Sequence, residues 1–185
     1  QYRYVVEIAD DNQGNLVVAS KSLQVKTDAG WVAASNVGFD NAYVPNPATD
    51  AVPLIKKVLS GDRKDALKEN EFFFKLRVVS ATYSDGIILP ATEVGNQANG
   101  NVLFGDITFT KSGYYTVAIQ EIIPDEEDKV PGVTYSTQEF LATFRVDDDR
   151  NGQLSAVLTQ FEGGDTIYNQ YVKQPTSASI SGKKD

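Results

Sequence analysis

Apolar residues recur at every second position along most of this chain, as in Phe72-Phe74-Leu76-Val78, Tyr115-Val117-Ile119, Phe140-Ala142-Phe144-Val146 and Ile167-Asn169-Tyr171. Period two places alternate side chains on one face, so these segments predict half-buried strands. Turn-forming clusters separate them: Ser84-Asp85-Gly86, Asn96 to Asn101, Lys111-Ser112-Gly113, Asp125 to Gly132 and Asp147 to Gly152. Many short strands with regular turns predict an all-β sandwich. The one helix-like stretch, Asp62 to Asn70, is so charged that a solvated surface connection before the Phe72 strand is the favoured expectation.

The pattern also repeats. "YVVEI" at Tyr4–Ile8 returns as "VAIQEII" at Val117–Ile123, and "GFDNAYVPNP" at Gly38–Pro47 returns as "TIYNQYVKQP" at Thr166–Pro175. "PLIKKVL" at Pro53–Leu59 is echoed by "SISGKKD" at Ser179–Asp185. Self-similarity at a fixed order predicts tandem modules. The expected layout is the C-terminal half of one module at 1–44, a proline-stiffened linker at 45–50, a complete module at 51–172, and a linker plus the first strand of a following module at 173–185.

Composition narrows the chemistry. The 185 residues include no His, Cys or Met and a single Trp, which excludes a Ser-His-Asp triad, a thiol nucleophile, a disulfide and a His/Cys zinc site. A net charge of −8 argues against a nucleic-acid partner, which would need a concentrated basic face. Apolar runs are too short to span a membrane, and no cofactor or metal is implied. "DDDRNG" at Asp147–Gly152 opens like a calcium loop, yet position twelve is Leu158 rather than an acid, so a hairpin turn is expected there. Trp31 with the Tyr and Phe set offers a carbohydrate platform as one reading, but most of the aromatics fall at inward strand positions, so core packing is the favoured expectation.

Alternation makes a sharper statement about three polar residues. Lys57 falls between Ile55 and Leu59, Glu121 continues the inward face of Tyr115-Val117-Ile119, and Asn169 lies between Ile167 and Tyr171. Lys56 adjoins Lys57 and is the alternative lysine. A buried amine and a buried carboxyl escape their desolvation cost by neutralising. A neutral Lys amine is a nucleophile, and a protonated Glu can polarise a carboxamide and shuttle protons while ammonia leaves. Lys, Glu and Asn in one core could therefore form an amide bond between the Lys and Asn side chains.

The run "ENEFFFKLRVV…GNVLFGDITFTKSGYYTVAIQE…DKVPGVTYSTQEF…FRVDDDRNGQL…IYNQY" resembles the pilin isopeptide-linkage domain of streptococcal-type major pilins and Gram-positive adhesin stalks. The resemblance implies an immunoglobulin-like, Cna B-type sandwich, with Lys57 bonded to Asn169 and Glu121 assisting. The same matching assigns Glu7 and Asn41 to the incomplete N-terminal module and Lys184 to the C-terminal one. It further implies a wall-anchored extracellular fibre, not a turnover enzyme, whose partners are other copies or modules, with sortase linkage between copies as one expected form of that assembly. Lys173 in "YVKQP" is a candidate acceptor for such a link, with another Lys as the alternative, and a host-ligand or glycan-binding module on the same fold is the competing expectation.

Overall fold

The computed structural model describes residues 1–39, 41–63 and 65–179. Among these every regular element is a strand. The chain divides into two compact units, Gln1–Tyr43 and Val44–Asp185.

The smaller unit is a three-stranded antiparallel sheet in the order β1 (Tyr2–Asp10), β2 (Leu16–Thr27), β3 (Gly30–Ala33). Tyr2 packs edge-on against Phe39 and its hydroxyl donates to the carbonyl of Gly38.

The larger unit is a sandwich. One layer is a five-stranded sheet of β14 (Leu154–Glu162), β13 (Glu139–Asp148), β11 (Gly113–Glu121), β6 (Phe73–Ala81) and β8 (Glu93–Gly95), in that order. The facing strands form two smaller sheets. One runs β4 (Ala48–Ala51), β10 (Asp106–Phe109), β7 (Ile87–Ile88). The other runs β12 (Val133–Thr134), β15 (Thr166–Tyr171), β5 (Ile55–Gly61), β9 (Asn101–Val102). Alternate residues of the layers meet in a single core: Phe74, Tyr115, Ile119, Phe140 and Phe144 from the first, Ile55, Ile107, Phe109 and Ile167 from the second. Aromatic bulk dominates it, with Phe109 tilted against Tyr115 and Phe144.

Two local expectations change. The inward run from Phe72 stops before Val78, which is 39% exposed although it pairs with the buried Val117, and a bulge between Thr116 and Val117 follows directly after that pair. The segment expected as a linker at 45–50 instead enters the sandwich. Pro45 and Pro47 lack N–H groups, but Asn46 between them donates to the Gly152 carbonyl and accepts from the Leu154 N–H, and β4 then pairs with β10. The stretch from Asp62 to Asn70 contains no helix among its described residues, as its charge pattern suggested. At Asp149 one carboxylate oxygen accepts the N–H groups of Asn151 and Gln153, which makes this loop a self-capped hairpin turn.

Candidate functional site

The chain's first and last long strands in the larger unit lie side by side. β5 and β15 are parallel neighbours, with Lys57 opposite Ile167 and Asn169 opposite Leu59. Residues two apart in a strand share a face, so Lys57 and Asn169 both point into the core. β11 in the facing sheet ends at Glu121, which pairs with Phe74 of β6. Three elements distant in sequence thus deliver one amine, one carboxylate and one carboxamide to the same place.

Lys57, Glu121 and Asn169 are each 1–2% exposed. The Lys57 ammonium donates to both carboxylate oxygens of Glu121, at 2.9 Å each. Asn169 Nδ2 donates to Glu121 Oε1 at 2.7 Å, so this single oxygen receives both the amine and the amide nitrogen. The amide oxygen, Oδ1, accepts the backbone N–H of Ser136 at 2.9 Å. Lys56, the alternative lysine, is exposed.

The surroundings are apolar. Lys57 Nζ lies 4.6 Å from the ring centre of Phe72 and 5.9 Å from that of Phe74. Burial pulls the Lys57 amine down to about 8, against the opposing charge and hydrogen bonds of Glu121. The free-amine form is therefore far closer at hand than for a lysine in water.

Two supports hold this arrangement. The Lys57 N–H donates to the Gly100 carbonyl at 2.6 Å, and Gly100 has φ +88. A Cβ at position 100 would fall 2.4 Å from the Lys57 carbonyl oxygen, so only glycine allows that approach. The second support is Asn96, which is fully buried. Its Oδ1 accepts the Phe72 N–H and its Nδ2 donates to the carbonyls of Lys68 and Gln97, at 2.8 to 2.9 Å. Asn96 thereby fixes Phe72, whose ring meets Lys57 on one side and Tyr135 edge-on at 5.8 Å.

Sequence reasoning missed Asn96 and Ser136. Asn96 opens a run that reads as an ordinary turn, and Ser136 contributes a backbone group that no side-chain pattern marks. Of the residues assigned to the flanking modules, Glu7 is exposed on β1 and accepts the Ser20 hydroxyl at 2.7 Å, while Asn41 is exposed in an irregular segment. Lys184 lies outside the described residues. Trp31, singled out for a carbohydrate face, has the Arg3 guanidinium 4.4 Å over its ring.

A family profile described as FctA, the Spy0128-like isopeptide containing domain, matches residues 53–172. Among solved structures, the major pilin of Streptococcus pyogenes is 21% identical with a TM-score of 0.41, and the match covers 65% of this chain and 50% of that one. Two single-residue variants of the same pilin are 21% and 20% identical, with TM-scores of 0.43 and 0.42 and the same coverage. This chain thus spans about half the length of those pilin chains. No curated protein matches.

Proposed function

Because the chain belongs to the FctA family of Spy0128-like isopeptide-containing domains, we propose that its larger unit is a load-bearing module of a surface pilus, closed by an amide bond between Lys57 and Asn169. The observation that carries this reading is the shared oxygen: Glu121 Oε1 receives both Lys57 Nζ and Asn169 Nδ2 inside an apolar core.

The chemistry balances with these three side chains alone. The Lys57 ammonium passes a proton to the Glu121 carboxylate, leaving a neutral amine beside a carboxylic acid. The amine lone pair attacks Asn169 Cγ, and the carbonyl π electrons move to Oδ1. Glu121 returns its proton to Nδ2, the Cγ–Nδ2 bond breaks with its electron pair on nitrogen, and ammonia leaves as the carbonyl re-forms. Glu121 finally takes the extra proton from Nζ. It ends neutral, which suits a carboxyl whose cationic partner has been consumed. Each chain reacts once, so this is self-modification rather than turnover.

The mechanical consequence follows from topology. Parallel β5 and β15 are loaded in shear when the ends of the unit are pulled apart. A bond from Lys57 to Asn169 routes that force past the intervening residues. By analogy with a disulfide, closing a loop of about a hundred residues removes unfolded-state entropy worth about 4 to 5 kcal/mol. Such a staple cannot be reduced, which fits a Cys-free fibre on the outside of a Gram-positive cell, wall-anchored and built with other copies of the subunit. Lys173, just beyond β15, remains the candidate acceptor for a sortase-made link between copies.

Intact mass spectrometry of the purified chain tests the reading. The expected mass is that of the sequence less one ammonia, and Lys57→Ala, Glu121→Ala or Asn169→Ala should each restore the full mass of its own sequence. An unmodified parent mass would overturn it.

A further inference from the structure

We propose that the backbone N–H of Ser136 is the oxyanion donor for formation of the Lys57–Asn169 bond. The inference rests on the cross-linking reading and adds a participant that the three side chains do not supply.

Attack at Asn169 Cγ develops negative charge on Oδ1, which lies in the core. Glu121 Oε1 accepts a hydrogen bond from the other end of the same carboxamide, Nδ2, so this oxygen faces the leaving nitrogen rather than Oδ1. The donor on Oδ1 is the Ser136 N–H at 2.9 Å. A fixed backbone dipole aimed at a developing oxyanion in a water-poor site strengthens as the charge grows, which is the condition for accelerating a reaction rather than merely binding its ground state.

The local chain path shows a diverted hydrogen bond. β12 pairs with β15 antiparallel through Val133↔Tyr171 and Thr134↔Gln170, and the pairing ends there. Two residues later the N–H of Ser136 goes to the side chain of Asn169. The Ser136 hydroxyl accepts the N–H of Gln138 at 3.2 Å, a turn that shapes the segment just before β13 begins at Glu139. The carboxamide is consequently held at both ends, nitrogen toward the proton shuttle and oxygen toward the donor. This settles its orientation before the amine attacks.

The test is a full chain assembled from segments under denaturing conditions, with Ser136 replaced by its α-hydroxy analogue so that the N–H becomes an ester oxygen and the side chain is kept. Diluted to refold beside a parent chain made the same way, it should lose ammonia about 100-fold more slowly, the usual effect of removing one such donor. Ser136→Ala keeps the N–H but loses the hydroxyl that accepts the Gln138 N–H, and should react more slowly than the parent and faster than the ester. Ser136→Pro, expressed in the ordinary way, should be isolated folded and unreacted, then convert slowly. Ester and parent reacting at the same rate would overturn the donor role while leaving the cross-link reading intact. Failure of both the ester and the Pro chain to fold, by near-ultraviolet circular dichroism, would assign the N–H to the fold and overturn it too. A parent that never loses ammonia would overturn both readings.

Discussion

Lys57 and Asn169 stand on adjacent parallel strands, two residues out of register, and their inward side chains meet on one oxygen of Glu121. Neighbouring strands hold backbones about 4.8 Å apart, and the offset along the strand is spanned by the long Lys57 stem reaching toward the short Asn169 amide.

This placement separates the two adjacent lysines. Lys56→Ala removes an exposed side chain and should leave the ammonia loss intact, with stability within about 0.5 kcal/mol of the parent. Lys57→Ala should give full mass and a large fall in the urea midpoint. Mass and denaturation on the two variants decide the matter.

Glu121→Ala and Asn169→Ala should both prevent the bond, yet they should differ in stability. Asn169→Ala retains the buried Lys57–Glu121 ion pair, whereas Glu121→Ala strands an ammonium in the core. Breaking a buried pair by removing one partner costs about 3 to 5 kcal/mol, so Glu121→Ala should be the less stable of the two by guanidinium denaturation. Equal stabilities would show that the pair contributes nothing before the reaction.

In the Asn169→Ala chain the lysine stays titratable. Folded Lys57 releases its proton near 8, while in the unfolded chain it holds it to its ordinary value of 10.5. Between those limits the unfolded state binds more protons, so stability should rise with pH across this window. Urea midpoints measured from pH 8 to 10.5 check the sign, with Lys57→Ala as the chain in which that rise should vanish.

Asn96→Ala should be costly despite its distance from the bond. It leaves the Phe72 N–H and the Lys68 and Gln97 carbonyls without their partner, a loss of about 2 to 3 kcal/mol. It should also slow the ammonia loss on refolding, since Phe72 would no longer be fixed against the Lys57 amine. A destabilised chain that reacts at the parent rate would confine Asn96 to the fold.

Period-two patterning alone determined the class of fold and the inward facing of Lys57, Glu121 and Asn169, because strand geometry ties every second side chain to one face whatever the partner strands are. What alternation could not supply was who faces whom. That β5 lies parallel to β15, that Glu121 offers one oxygen to both nitrogens, and that the proline-flanked Asn46 joins the sandwich all depend on contacts across long sequence separations. Asn96 and Ser136 were illegible for the same reason: one acts by filling three backbone hydrogen bonds between loops, and the other through an N–H that every residue except proline carries. Side-chain pattern marks which groups are buried; only the folded chain decides which backbone dipole is aimed at them.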